Sequence, residues 1–135
     1  MAESFQHQQL VKLLKKEVVK LIPSGCHILI QQDTPDSLAL PTKMIEGYRP
    51  DIYYCFDDLL IIGEAKTASD VEKQHSRAQY VAYIKECANF HGNAILIIAV
   101  PWMERATANN ILRNLRKKIP GSYTTKILEW LGGEV

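Results

Sequence analysis

Three residues of this chain could do chemistry together: Asp51, which follows Pro50, and Glu64 and Lys66, which come thirteen and fifteen residues later around Ala65. They fall on two segments that read as β-strands, Tyr48 to Phe56 and Leu59 to Lys66, joined by the turn residues Asp57-Asp58. An antiparallel hairpin sets the start of its first strand beside the end of its second. The spacing therefore predicts that Asp51, Glu64 and Lys66 cluster at one end of a sheet. Two carboxylates and an amine at one point can hold a divalent ion and position a water, the equipment of metal-assisted phosphodiester hydrolysis. Either charged residue could also be an ordinary solvated strand end. Against that, Leu59 to Ile62 is an uninterrupted apolar run, the mark of a central strand buried on both faces. Charges directly after such a strand lie at the carboxyl edge of a sheet, where sites form.

The elements that must position these groups can be read from periodicity and breakers. Ser4 to about Ile22 is a helix with Leu10, Leu13, Leu14, Val18 and Leu21 on its apolar face, stopped by Pro23-Ser24-Gly25. Cys26 to Gln32 reads as a strand, and Asp33 to Gly47 as a longer connection, a short extra hairpin or a flap. After the central hairpin a helix is expected from Ala68 or Ser69 to Asn89, with Ser69 as N-cap and Glu72 three residues on. Ala94 to Val100 is a second buried strand, Met103 to Ile119 a helix ended by Pro120-Gly121, and Tyr123 to Trp130 a last strand. The expected class is α/β: an αβββαβ core with an additional αβ unit, forming a mixed central sheet flanked by helices.

Pro50-Asp51 and Glu64-Ala65-Lys66 resemble the signature of the PD-(D/E)XK nuclease superfamily. The helix that follows carries Gln79-x-x-x-Tyr83, similar to the Gln-x-x-x-Tyr motif of the superfamily's RecB-like branch, with the resolvase- and homing-endonuclease-like branch as the alternative. The resemblance implies a restriction endonuclease-like core in one nuclease domain spanning residues 1–135, and a Mg²⁺-dependent deoxyribonuclease leaving 5′-phosphate and 3′-hydroxyl ends. It implies metal binding by Asp51, Glu64 and the carbonyl of Ala65, with Mn²⁺ able to substitute. Lys66 is implied as the group that orients or deprotonates water, and Gln79 and Tyr83 as residues lining the site. Many relatives add a first-helix glutamate at the metal. Glu17 shares the inward face of the first helix and is the expected match, with Glu3 and His7 as other helix-borne candidates; the plainer alternative pairs Glu17 with Lys16 or Lys20.

Several nearby groups carry lesser expectations. His75 shares the helix side of Gln79 and Tyr83 (i, i+4, i+8) and is either an assisting group or a surface residue. Glu46 and Asp70 could stand behind the site. Trp102 is read as capping the core, with stacking on a base or a partner as the alternative, and Met44, Met103, Tyr53 and Tyr54 need only packing.

Composition bounds the rest. At 135 residues and 47% apolar content the chain can bury a core without staples. Cys26, Cys55 and Cys87 show no zinc or disulfide spacing, as in a cytoplasmic protein. No secretory leader or membrane-length apolar stretch is evident, and no nucleotide cofactor is indicated. A net charge of +1 does not mark a strong nucleic-acid binder. The charge is uneven, however: Lys12, Lys15, Lys16 and Lys20 lie on the first helix, and Arg113, Arg116, Lys117 and Lys118 near the end of a later one. Lys12, Lys15, Lys16, Arg113, Arg116 and Lys117 are the expected DNA contacts, with ordinary solvated helix faces as the alternative. With no separate recognition domain legible, the expected partners are DNA and a second copy or a larger complex. The expected activity is an endonuclease on duplex or branched DNA; an exonuclease subunit of a repair complex and a non-catalytic DNA-binding domain are the alternatives.

Overall fold

The computed structural model describes residues 4–33 and 42–135. Helix α1 spans Phe5–Leu21 and is capped by Ser4, whose hydroxyl accepts from the His7 amide at 3.1 Å. Its buried stripe is Leu10, Val11, Leu14 and Val18. The expected face is turned slightly: Val11 belongs to it, while Leu13 is half-buried and Leu21 exposed. The segment Ser24–Leu29 forms a 3₁₀ turn with Ile28 on the surface, and only Gln31–Gln32 (β1) is extended. The seven-residue strand expected there is thus reduced to two residues.

Strands β2 (Ile52–Phe56) and β3 (Leu59–Ala65) form the anticipated antiparallel hairpin, with Asp57 in the left-handed region (φ 58°) that a tight turn demands. Just before it, Ile45 and Tyr48 exchange backbone hydrogen bonds around Glu46 and Gly47, both at positive φ, a tight turn closed by one bridge; most of the connection expected to form an extra hairpin or a flap, residues 34–41, lies outside the described residues. Helix α2 runs Gln74–Ala88, β4 Asn93–Pro101, α3 Arg105–Lys118 and β5 Thr124–Trp130. The start of α2 lies five residues beyond the Ser69 expected to cap it. Thr67 and Asp70 hydrogen-bond to each other and hold the intervening turn, and Lys73 takes the cap position without a side-chain bond.

The sheet is mixed, in the order β1-β2-β3-β4-β5, antiparallel from β1 to β3 and parallel from β3 to β5. This is an open five-stranded α/β sheet with helices on both faces. Alternate residues of the central strands feed two cores. Ile61, Ala65, Ile97 and Ala99 face α1, while Leu60, Ile62, Leu96, Ile98 and Val100 face α2 and α3. Each fully buried Leu or Ile contributes about 1.5–3 kcal/mol, so β3, with Leu60, Ile61 and Ile62 all at 1% exposure or less, is the backbone of the fold. Gly63 allows α1 to seat: a Cβ there would stand 3.2 Å from Ile52 Cβ and 3.3 Å from Leu14 Cδ2. Among the described residues no helix is long and apolar enough to cross a membrane.

Candidate active site

The hairpin register sets Ile52 opposite Gly63, so the next pair outward is Asp51 and Glu64. Each carboxylate is held by the backbone of the other's strand. The Ala65 amide donates to Asp51 Oδ2 at 2.8 Å, and the Asp51 amide donates to Glu64 Oε1 at 3.3 Å. Strand alternation turns Glu64 toward α2, and the Lys66 amide, just past β3, donates to the Ala99 carbonyl on β4 at 3.0 Å. Lys66 Nζ then lies 3.2 Å from Glu64 Oε2.

Helix α2 closes the cluster from one side. Gln79 and Tyr83, one turn apart, both point inward. Gln79 Oε1 accepts from Lys66 Nζ, and the Tyr83 hydroxyl donates to Glu64 Oε1 at 3.4 Å. Helix α1 closes it from the other side with His7, whose Nε2 is 3.4 Å from Asp51 Oδ1. Asp51, Glu64, Lys66 and Gln79 are each 8% exposed or less, and Tyr83 is fully buried. Polar groups so deep persist only when hydrogen-bonded to one another.

Burial shapes the electrostatics. Desolvation first, and then the neighbouring Asp51 charge, push the Glu64 carboxyl up to about 8, against the opposing pull of Lys66. Burial, followed by the Glu64 charge, raises the Tyr83 phenol, which therefore stays a donor at all ordinary pH. Asp33, whose amide donates to the Asp51 carbonyl at 2.9 Å, is also raised, by partial burial and then by Asp51. Asp33 is an acidic neighbour that sequence reasoning missed, because it stands eighteen residues upstream with no motif around it.

With Glu64 protonated, Asp51 and Lys66 balance; only when both carboxylates ionise against the one lysine does an excess of negative charge arise, the condition that favours a divalent cation. Among the described residues no group of three or more His, Cys, Asp or Glu side chains is arranged to hold a metal. Asp51 and Glu64 supply two carboxylates, and Mg²⁺ is commonly held by one or two while keeping several waters. Asp51 and Glu64 are the acidic oxygen donors the structure brings together here, and the Ala65 carbonyl adjoins them in sequence.

Other expected residues are placed elsewhere. Glu17 does not join the cluster: its Oε2 pairs with Lys126 Nζ of β5 at 2.5 Å, neither at the metal site nor with Lys16 or Lys20. Glu17 lies ten residues along α1 from His7, or about 15 Å at 1.5 Å per residue. Glu3 lies outside the described residues, so of the alternatives His7 is the one seen at the cluster. His75 is exposed and packs edge-on against Tyr48, ring centroids 5.5 Å apart. Glu46 sits in its turn, exposed, and Asp70 pairs with Lys73 at 2.9 Å and with Thr67. Trp102 is 56% exposed and caps nothing, and Met44 and Met103 are exposed as well. Lys12 and Lys16 are exposed on α1, and Arg113, Arg116 and Lys117 on α3. These two helices pack on opposite faces of the sheet, so the basic residues form two separate patches.

No family model matches the chain, and comparison with curated proteins and with solved structures likewise returned no match.

Proposed function

We propose that the protein is a metal-dependent deoxyribonuclease of the PD-(D/E)XK type, on a restriction endonuclease-like core, cutting duplex or branched DNA as a homo-oligomer. The observation that supports this reading best is the meeting of Asp51, Glu64 and Lys66 in one buried cluster braced by Gln79 and Tyr83. A solvated strand end would not gather five polar side chains, and a metal-dependent hydrolytic centre brings a base, an anion stabiliser and a cation seat together. Bound at Asp51, Glu64 and the Ala65 carbonyl, Mg²⁺ (or Mn²⁺ in its place) would polarise a phosphate and acidify its water.

The chain's own residues divide the remaining work. Lys66 Nζ, fixed between Glu64 and Gln79, presents donors toward the phosphate and offsets the charge that builds there. Gln79 positions that amine through its carbonyl oxygen. Tyr83 and the Asp51 amide hold Glu64 in one rotamer, and the Ala65 amide and His7 hold Asp51. Exclusion of bulk water by α1 and α2 strengthens each of these contacts.

The test is cleavage of supercoiled plasmid, linear duplex, single-stranded DNA and a four-way junction in Mg²⁺ or Mn²⁺, by wild type and by Lys66→Ala. Metal-dependent cutting lost in the variant supports the nuclease, and the preferred substrate separates endonuclease from exonuclease. If wild type does not cut, and calorimetry detects no divalent-ion binding that depends on Asp51 and Glu64, the reading falls.

A further inference from the structure

A polar concavity lies away from the carboxylates, at the edge of the sheet where the end of α3 passes the start of β5. Its volume is about 400 Å³, and its polar lining is Asn109, Arg113, Arg116, Lys117, Tyr123 and Thr125, with no acidic side chain. Asn109, Arg113, Arg116 and Lys117 fall at helical spacings of four, seven and eight, so they form one stripe along α3.

Cations in the last turn of a helix are favoured by its dipole, which accounts for Arg116 and Lys117 taken singly. It does not account for Arg113 standing one turn behind both. Like charges at i,i+3 and i,i+4 oppose the helix by a few tenths of a kcal/mol per pair. Some basic residues elsewhere are matched: Lys43 with Glu86, Lys73 with Asp70, Arg105 with Glu129 and Lys126 with Glu17. Among the described residues Arg113, Arg116 and Lys117 pair with no carboxylate. Arg116 is nonetheless oriented, its guanidinium 3.5 Å from Thr125 Oγ1 and 5.7 Å from the Tyr123 ring centre. That ring is fixed in turn by its hydroxyl, which donates to the Ile119 carbonyl at 2.5 Å. An uncompensated, partly ordered cluster of two guanidiniums and an ammonium in a concavity suits a phosphate group, which accepts from guanidinium in bidentate fashion.

We propose that this pocket is a phosphate site that grips the backbone of a nucleic-acid strand through Arg113, Arg116 and Lys117. The choice of nucleic acid as the source of the phosphate rests on the nuclease reading; the phosphate chemistry does not. Thr125 pairs with Leu96 and Leu96 with Ile62, so the pocket stands two strands from Glu64, roughly 10 Å across the sheet at about 4.8 Å per strand. It would contact phosphates other than the one being cut, and so contribute affinity and orientation without touching the reacting atoms.

The experiment measures anisotropy of a labelled 24-base-pair duplex at several salt concentrations in EDTA, where no cutting is needed, together with an inorganic phosphate titration followed by amide NMR. It compares wild type with the double variant Arg113→Gln, Arg116→Gln, its fold checked by thermal unfolding. At least tenfold weaker duplex binding and a salt slope shallower by roughly 1–2, at about 0.9 per phosphate contact, would bear the proposal out. Unchanged affinity and slope overturn it even if Lys66→Ala has abolished cleavage, so its failure is separable from that of the nuclease reading. If wild type binds no duplex but phosphate shifts the resonances of the pocket, the backbone assignment falls and a free-phosphate pocket stands in its place. If neither ligand registers, both parts fall.

Discussion

Asp51 and Glu64 hold each other in place by exchange: the amide of Ala65, next to Glu64, donates to the Asp51 carboxylate, and the amide of Asp51 donates to the Glu64 carboxylate. Neither acid can change rotamer without leaving a buried backbone donor unsatisfied, which costs about 1–3 kcal/mol. The pair is therefore set before any cation or substrate arrives, as electrostatic preorganisation requires.

The raised Glu64 carboxyl gives a pH dependence with a defined sign. Without metal, the folded protein keeps a proton on Glu64 up to about 8, whereas the unfolded chain loses it near the ordinary value of 4.5. The unfolded state binds fewer protons between those limits, so the stability linked to this proton is full below about 4.5 and is lost as pH rises through about 8. Thermal unfolding in EDTA should show this decline, and Glu64→Gln, which cannot ionise, should flatten it.

A divalent cation should reverse that trend. Bound between two carboxylates it favours their ionised forms, so Mn²⁺ or Mg²⁺ should raise Tm more at pH 8 than at pH 5. At a hundred times Kd the gain is about 2.7 kcal/mol. Asp51→Asn should abolish the metal-induced shift in a differential scanning measurement; an equal shift in that variant would place the ion elsewhere.

Tyr83→Phe removes one donor from Glu64 and keeps the ring in its core. The expected loss is about 1 kcal/mol of stability and roughly tenfold in plasmid cleavage rate, from looser seating of Glu64. Gln79→Leu deprives Lys66 of one of its two side-chain acceptors and should cost cleavage more than stability. A loss seen only in Tm for either variant would make that residue a packing element.

Glu17 and His7 should separate cleanly. Glu17→Gln breaks a half-exposed ion pair with Lys126, worth ~0–1 kcal/mol, and should leave cation binding and cleavage unchanged. His7→Ala removes a contact to Asp51 and should weaken both. Calorimetric titration with Mn²⁺ on the two variants decides which residue is the helix-borne member of the site.

Gly63 gives a structural prediction. Gly63→Val would drive branched carbons into Ile52 and Leu14, both already within contact of the first added atom. Destabilisation of about 1–3 kcal/mol is expected from overpacking, read as a lower urea midpoint with an unchanged slope.

What was legible in the sequence were the relations fixed by short-range geometry. The two-residue period of β2 and β3 and the tight turn between them bring Asp51 to Glu64, and a four-residue step on α2 aligns Gln79 with Tyr83. What was not legible involves coordinates those periods omit. A helical wheel gave Glu17 the correct side of α1 but discards position along the axis, and it was three turns too far down. Its partner, Lys126, is 109 residues away in sequence. Ser69 and Glu72 had the spacing of a capping box, yet Thr67 and Asp70 closed a competing local turn first. The alternation of Cys26 to Gln32 suggested a strand, but Ile28 is 85% exposed and the segment coils instead.

The cluster draws His7 from the layer on one face of the sheet, Gln79 and Tyr83 from the layer on the other, and Asp51, Glu64 and Lys66 from the hairpin between them. It exists only when all three layers have docked. A hairpin alone, or a hairpin with one helix, would expose the acids to water and let their ionisation relax to ordinary values. A nascent or partly denatured chain therefore lacks the assembled cluster, whose completion depends on both helices being docked on the sheet.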